Sequence, residues 1–345
     1  MLNDRYLNKI KKKVPTLQVY VESNGSNKVF KYSSTHLNQR FHSASVGKVF
    51  CASSVMKAIE EGHLSLQTKV NTILDMALLD KLFVYKGQDY QSQVTIEHLL
   101  SHTSGVNDYF EGKTKGSESF MKKLLSDPTH RYDVYELIDF TRKFQSAVGK
   151  PGDKFYYSDT GYNLLGLILE KIYKKAYHLV LRDLIINPLA LKDTALCFYD
   201  PVFDQNTLAP IVFAGQRMEK TNALSCDFAG GGLQTTAQDL ARFLKALFKG
   251  EIIDKKYLDL MMVPRHRFHH IMGYGLGLIE ISFERIIPWM RHYPKMYGGL
   301  GSLSVHAFIN PVNLDVIIIN LGTPSKMRLS FKILVEAAKW LKNKS

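Results

Sequence analysis

The chain has 345 residues, 45% of them hydrophobic and 22% charged, with 11 Pro and 23 Gly, a balance that suits a folded globular protein and excludes a disordered or low-complexity one. Its formal charge of +13 comes from scattered Lys and Arg, densest at Lys11 to Lys13. Without zinc-finger spacing, an RNA-binding signature or an aromatic–basic stripe, nucleic acid is not an expected partner.

Three cysteines, Cys51, Cys197 and Cys226, lie far apart, which argues against a disulfide framework and for a reducing compartment. The opening "MLNDRYLNKIKKKVP" has no apolar h-region, and no run approaches about 18 apolar residues. A cytoplasmic protein with no integral membrane segment is expected.

In chain order, Leu2, Tyr6, Leu7 and Ile10 stand at helical spacing and predict an amphipathic helix over 2–13. "TLQVYVES", "NGSN" and "KVFKYSS" read as strand, turn and strand. From Ser45 to Glu61 the period is helical, with Val49, Ala52, Met56 and Ile59 on one face and Gly62 as the stop. Residues from about 63 to 225 are helical patches between polar loops. Thr95 is placed to cap "IEHLLSH", Pro151-Gly152 marks a turn, and Tyr162, Leu165, Leu169 and Ile172 trace a buried helix face. The triple glycine Gly230 to Gly232 precedes the helix "TAQDLARFLKALF". Strand-like runs follow in "YGLGLIEIS", "GSLSVHAFI" and "LDVIIINLG", then a last amphipathic helix over about 325–342. Strands at both ends with helices between predict an α+β fold. Its antiparallel sheet is assembled from the two termini and flanked by helices, with a mostly helical lobe inserted. The expected domains are 1–62 plus 226–345 for the sheet-bearing lobe and 63–225 for the helical one, with the active site in the crevice between them.

The stretch "FHSASVGKVF" sets Ser45 and Lys48 one helical turn apart, so both side chains can share a face. A hydroxyl needs a proton acceptor to become a nucleophile. A sheltered lysine loses pKa and could be that base, while a helix N-terminus favours negative charge at the serine oxygen. The same residues would also fit a helix cap followed by a surface lysine. His98 and His102 stand four apart but lack a third ligand at useful spacing, so they read as core or capping residues rather than a metal site. "HRFHH" (His266, His269, His270) reads as an exposed basic loop. No metal or cofactor is expected.

The ordered set "FHSASVGKVF", "EEGHLSLQTKV", "VTIEHLLSHTSGVNDYF", "PGDKFYYSDTGYNLLG", "NPLALKDTAL" and "AGGGLQTTAQDLARF" resembles the serine β-lactamase-like family over nearly the whole chain. That group holds class C β-lactamases, D-alanyl-D-alanine carboxypeptidases and related family VIII-type esterases. The resemblance implies the β-lactamase/transpeptidase-like fold, with Ser45 as nucleophile and Lys48 as base. The family's Y-x-N falls on "YSD" and implies that Tyr157 shuttles a proton; by pattern alone Tyr156 and Tyr157 read as core aromatics.

Two departures stand out. The family's third element, K-T-G or H-x-G, is matched best by "YGG", Tyr297 to Gly299, which lacks the cation and is most like the W-G-G of some esterases. A shifted alignment would bring His292 or Lys295 to that place. Gly298 and Gly299 would let the backbone approach substrate, and the amide of Leu300 would pair with that of Ser45 as an oxyanion hole. Asp159 replaces the asparagine; an ionised carboxylate only accepts, and beside Lys48 it favours the ammonium unless it is protonated or turned away. Both changes disfavour anionic substrates. The expected partner is a small acyl compound (an ester, amide or β-lactam), with an esterase-type preference for neutral or cationic ones. The alternatives are a true β-lactamase or D,D-peptidase, and a catalytically impaired binding or sensor domain of the same fold.

Overall fold

A computed structural model describes residues 2–343. Among them the dominant element is an eight-stranded antiparallel sheet. Its order is His266–His269, Met272–Tyr274, Ile279–Ile281, Met296–Gly301, Val305–Ile309, Val316–Asn320, Gln18–Ser23 and Lys28–Ser33. The two ends of the chain meet where Gln18 stands opposite Asn320, a join reinforced by the Asn320 amide donating to Gln18 Oε1 at 2.7 Å. The protein is α+β, with the sheet built from both termini.

Period-two alternation decides what each face of the sheet touches. Val305, Ala307, Ile309 and Ile318 share one core with Leu240, Phe243 and Leu244 of the helix Ala237–Lys249 and with the helix Gly47–Glu60. Phe308, Ile317, Ile319, Val19 and Val21 point the other way. There they join Ile333, Leu334 and Ala337 of the terminal helix Met327–Lys342 and Leu7 of the opening helix Asp4–Ile10. Each large aliphatic side chain so buried contributes about 1.5–3 kcal/mol. A slip of one residue would exchange the two sets, so register is strongly specified.

Helices are the main regular elements of the segment from 63 to 225, although loops and turns make up more than half of it; the longest is the buried helix Asp159–Tyr173. Ser158 caps it, its hydroxyl accepting the Gly161 N–H at 3.2 Å, and Lys174 in the left-handed region (φ 52°) ends it. That helix packs against Gly47–Glu60 and Ile96–Leu100, and the three together form the rigid floor under the site.

Leu233–Thr235, which the sequence does not mark, is a strand paired with Phe41–His42 and Ala195–Leu196 in a small second sheet; its three residues are too few to show a period. One local expectation is corrected. "HRFHH" contains the edge strand His266–His269, not a loop. Its alternating half-buried and exposed residues have polar side chains on both faces, which hides the pattern from hydrophobicity alone. No helix among the described residues is long and apolar enough to cross a membrane.

Candidate active site

Ser45 lies in a single 3-10 turn, Ala44–Val46, just before the helix Gly47–Glu60. The turn is held from three directions. The Ser43 N–H donates to Leu233 O at 2.7 Å, Ser43 Oγ donates to Gly231 O at 2.7 Å, and the Ala44 N–H donates to His42 Nδ1 at 3.1 Å. Ala44 takes a left-handed φ of 46°, a conformation an L-residue keeps only when its surroundings over-determine it. Close backbone approach demands glycine on both flanks. A Cβ on Gly47 would come within 2.7 Å of Gly231 Cα, and one on Gly299 within 3.0 Å of Val46 Cα. The triple-glycine loop and the strand Met296–Gly301 therefore clamp the turn from opposite sides.

Lys48 is 2% exposed and uses its ammonium fully. It donates to Ser45 Oγ at 3.2 Å, to Asp159 Oδ1 and to Gly230 O, and it faces the Tyr157 ring, 4.8 Å from its centroid. Burial pulls its pKa down, but Asp159 and Asp227 more than offset this and hold it above the ordinary lysine value. Of the two opposed expectations from sequence, a sheltered lysine losing pKa and an ionised Asp159 favouring the ammonium, the second prevails, because the ion pair with Asp159 outweighs desolvation. Tyr157 lines the same cavity as Ser45, and burial, with Asp159 adding to it, pushes the tyrosine well above the usual phenol range. Asp159 stands at the first position of its helix, which aims it at Lys48 from across the cleft.

These groups open onto a cavity of about 220 Å³ walled by Ser45, Tyr157, Asp159, Phe268 and Leu300, together with Asp108, Glu111 and Asp227. The last three are functional candidates that motif reading missed. Asp108 and Glu111 follow the "SHTSG" motif within "VNDYFEG", and Asp227 directly precedes "FAGGG". Acids adjoining matched motifs were the available signal. Asp108 accepts the N–H groups of Asp159 (2.9 Å) and Glu111 (2.8 Å). Burial and the Asp159 carboxylate push both Asp108 and Asp227 up to about 7.

His102 Nδ1 accepts the Ser158 N–H at 3.1 Å, which leaves its proton on Nε2, 3.0 Å from the Tyr274 hydroxyl. Its ring centroid is 4.3 Å from that of Tyr157. It is a core residue that braces the tyrosine. His98 is a capping residue: its Nδ1 accepts the Thr95 N–H, and Thr95 Oγ1 accepts the His98 N–H.

Tyr297 is not where its motif suggests. Directly paired with Glu280 across the sheet, it donates its hydroxyl to that carboxylate at 3.0 Å, and its ring packs near Phe248. Strand alternation places it on the face that carries Gly299, toward the helices. Lys295 likewise pairs with Glu280, at 3.1 Å. Of the "YGGL" residues only Leu300 lines the cavity; Gly298 and Gly299 lie behind its wall.

A model of the family described as Beta-lactamase matches residues 3–279. The chain belongs to the β-lactamase family. Penicillin-binding protein 4* of Bacillus subtilis (strain 168) is 26% identical over 258 residues, covering 70% of this chain and 52% of that protein. Protein flp of Staphylococcus aureus (strain MW2) is 27% identical over 161 residues, covering 45% of this chain. This family member thus spans 52% of the first relative's length and 28% of the second's. Among solved structures, D-amino acid amidase from Ochrobactrum anthropi SV3 superposes with TM-score 0.76 at 21% identity, over 96% of this chain and 98% of that one. The octameric penicillin-binding protein homologue from Pyrococcus abyssi gives 0.72 at 25%, over 96% and 76%. The hydrolase EstCE1 gives 0.74 at 16%, over 96% of each. The shared fold is that of the β-lactamases and penicillin-binding proteins, a hydrolase family.

The buried acids carry a pH prediction. Asp227 has its pKa raised from 3.8 to about 7, so the folded chain binds a proton there that the unfolded chain has released. Its contribution to stability is therefore complete below about pH 4 and lost as pH rises through about 7. Asp227→Asn lacks this loss, and its Tm relative to wild type should climb between pH 4.5 and pH 8. A difference in Tm that stays flat across that range would show Asp227 to titrate normally.

Proposed function

We propose that this β-lactamase family member is a serine hydrolase that cleaves an ester or amide through an acyl-enzyme on Ser45. One observation carries the reading: the Ser45 hydroxyl accepts a hydrogen bond from Lys48 at 3.2 Å and shares with Tyr157 the wall of a cavity large enough for a small acyl group. The resting lysine is an ammonium, so the first step passes one of its protons to Asp159, with which it is in contact. The neutral amine then takes the Ser45 proton as Oγ attacks the carbonyl carbon. Tyr157 gives its hydroxyl proton to the leaving group and recovers one from Lys48. Water enters by the same route in reverse: Lys48 accepts its proton, and Ser45 Oγ leaves and is reprotonated. The amides of Ser45 and Leu300 are the proposed oxyanion donors, a contribution of about 3–4 kcal/mol when such a donor is well placed. Substrate would enter between the portion 63–225 and the portion formed by 1–62 with 226–345.

The cavity wall favours this reading over a β-lactamase or D,D-peptidase. It holds four acidic groups, Asp108, Glu111, Asp159 and Asp227, and the nearby Lys48 ammonium is already paired with Asp159, so the wall offers the carboxylate of a penicillin no free cation. A reducing compartment, the cytoplasm, is the proposed location, supported by three cysteines that are all free and buried.

Steady-state hydrolysis of a p-nitrophenyl ester and of benzylpenicillin tests the proposal. The ester should be turned over with the higher kcat/KM, and Tyr157→Phe should lower its kcat by about 10²-fold or more, the scale of a positioned proton donor. Faster penicillin turnover would favour the β-lactamase alternative, and an unreactive Ser45 would favour the impaired binding domain.

A further inference from the structure

The Lys and Arg residues that lie scattered in the sequence are gathered by the fold. Three stretches, 2–14, 283–295 and 325–343, pack into one core on a single face of the large sheet. Leu7 and Ile10 enter it from the first, Phe283 and Met290 from the second, Ile333 and Leu341 from the third. Together the three hold 13 Lys and Arg against 3 Asp and Glu, while the rest of the chain has 32 against 29, so this layer carries ten of the thirteen net positive charges. None of its cations is buried, and 11 are exposed. Among the described residues only Lys295 and Lys339 are held in ion pairs, with Glu280 and Glu336.

Amphipathicity builds the layer. In the helix Met327–Lys342 the apolar residues Ile333, Leu334, Ala337, Ala338 and Leu341 are buried, which leaves Arg328, Lys332 and Lys342 exposed on the opposite side. The opening helix Asp4–Ile10 buries Leu7 and Ile10 and runs straight into Lys11 to Lys13, all exposed. Between the strands Ile279–Ile281 and Met296–Gly301 the chain leaves the sheet. Met290, 1% exposed, pins this excursion to the core, and the neighbouring Trp289 ring is 77% exposed, with Arg285 and Arg291 exposed on either side of it in the chain. An indole held in water amid cations is matched to the boundary between lipid headgroups and hydrocarbon, where tryptophan concentrates. A soluble polyanion would engage the charges and leave the ring in water.

We propose that this basic layer docks the protein on an anionic lipid bilayer, with the cations on the phosphate headgroups and Trp289 seated in the interface. The wall of the reaction cavity carries the opposite sign, in Asp108, Glu111, Asp159 and Asp227. Attraction is therefore confined to the layer and fixes which side docks. Each exposed cation near such a surface adds to the affinity, and salt screens the sum.

The test is co-sedimentation of the full chain with vesicles of phosphatidylcholine alone and of phosphatidylcholine mixed equally with phosphatidylglycerol, with tryptophan emission recorded on the same samples. At about 0.1 M NaCl the anionic vesicles should bind the protein at least tenfold more tightly, and most of that preference should vanish at about 0.5 M. Emission should shift to the blue on binding. Trp289→Phe should lose the shift, since the other tryptophan, Trp340, already packs near Phe30 with 6.2 Å between ring centroids. Lys11→Gln, Lys12→Gln and Lys13→Gln together should weaken binding by about tenfold or more. Arg328→Gln with Lys332→Gln should weaken it in the same direction and serves if the first variant fails to fold. Equal binding to neutral vesicles, or no binding to anionic ones, would overturn the proposal, as would undiminished binding by the folded charge variants. Tighter binding to duplex DNA or polyphosphate, with no blue shift on vesicles, would overturn the lipid partner in favour of a soluble polyanion.

Discussion

Ser45→Ala is expected to reduce ester hydrolysis by on the order of 10⁴-fold or more, the scale seen when a covalent nucleophile is removed from a cooperating set. The reason is positional. Among the described residues, Ser45 alone of the cavity serines accepts a hydrogen bond from a lysine, and Tyr157 lies on the same wall. Ser43 is fully buried, and its hydroxyl is committed to backbone carbonyls. Ser302 lines the cavity but has no hydrogen bond from a lysine among the described residues. Stability should change little, by about 1 kcal/mol, since the lost hydroxyl is a partner that Lys48 can do without. Wild-type hydrolysis by a folded Ser45→Ala protein, checked by circular dichroism, would remove Ser45 from the mechanism.

Lys48→Ala should be the most damaging single change, because it strikes activity and stability together. Activity should fall by about 10²-fold or more, as for loss of a positioned base. Stability should fall by about 3–5 kcal/mol, the usual cost of removing one partner from a buried ion pair. Asp159, Asp227 and the Gly230 carbonyl would face one another without the ammonium that now separates them. The pair can be tested as a pair. Lys48→Met keeps most of the volume and loses the charge, and adding Asp159→Asn removes the stranded carboxylate. The double variant should recover much of the lost Tm while remaining inactive, a coupling that thermal denaturation of the four proteins reads directly. An unchanged Tm in Lys48→Ala would show that Lys48 is not a buried, ion-paired cation.

The elements that sequence made legible were those whose own residues carry the signal. Short runs rich in apolar and β-branched residues, "VHAFI" and "VIIIN", mark strands, and both lie in the sheet with opposite faces against different helices. The Thr95 cap and the buried face of Asp159–Tyr173 were readable for the same local reason. Ser45 and Lys48 are one turn apart, so their meeting follows from helix geometry. What was not legible depended on partners distant in sequence. That Asp159 favours the Lys48 ammonium was readable from the family match, but its balance against burial depends also on Asp227, and no local pattern weighs the two. Tyr297 has the right neighbours in sequence, but its direction follows from its pairing with Glu280. Asp108, Glu111 and Asp227 are single acids in loops, and only the fold assembles them into one wall. The strand His266–His269 delivers Phe268 to the Tyr157 ring, 5.4 Å between centroids, from a stretch whose polarity conceals it.

The most direct test of the acyl-enzyme claim is the intact mass of the full chain after incubation with a fluorophosphonate, followed by peptide mapping. The account predicts one phosphonyl group per chain, confined to the peptide containing Ser45, absent in Ser45→Ala and slowed in Lys48→Met. An adduct at another residue, or an unlabelled Ser45 in a protein that hydrolyses the p-nitrophenyl ester, would contradict it.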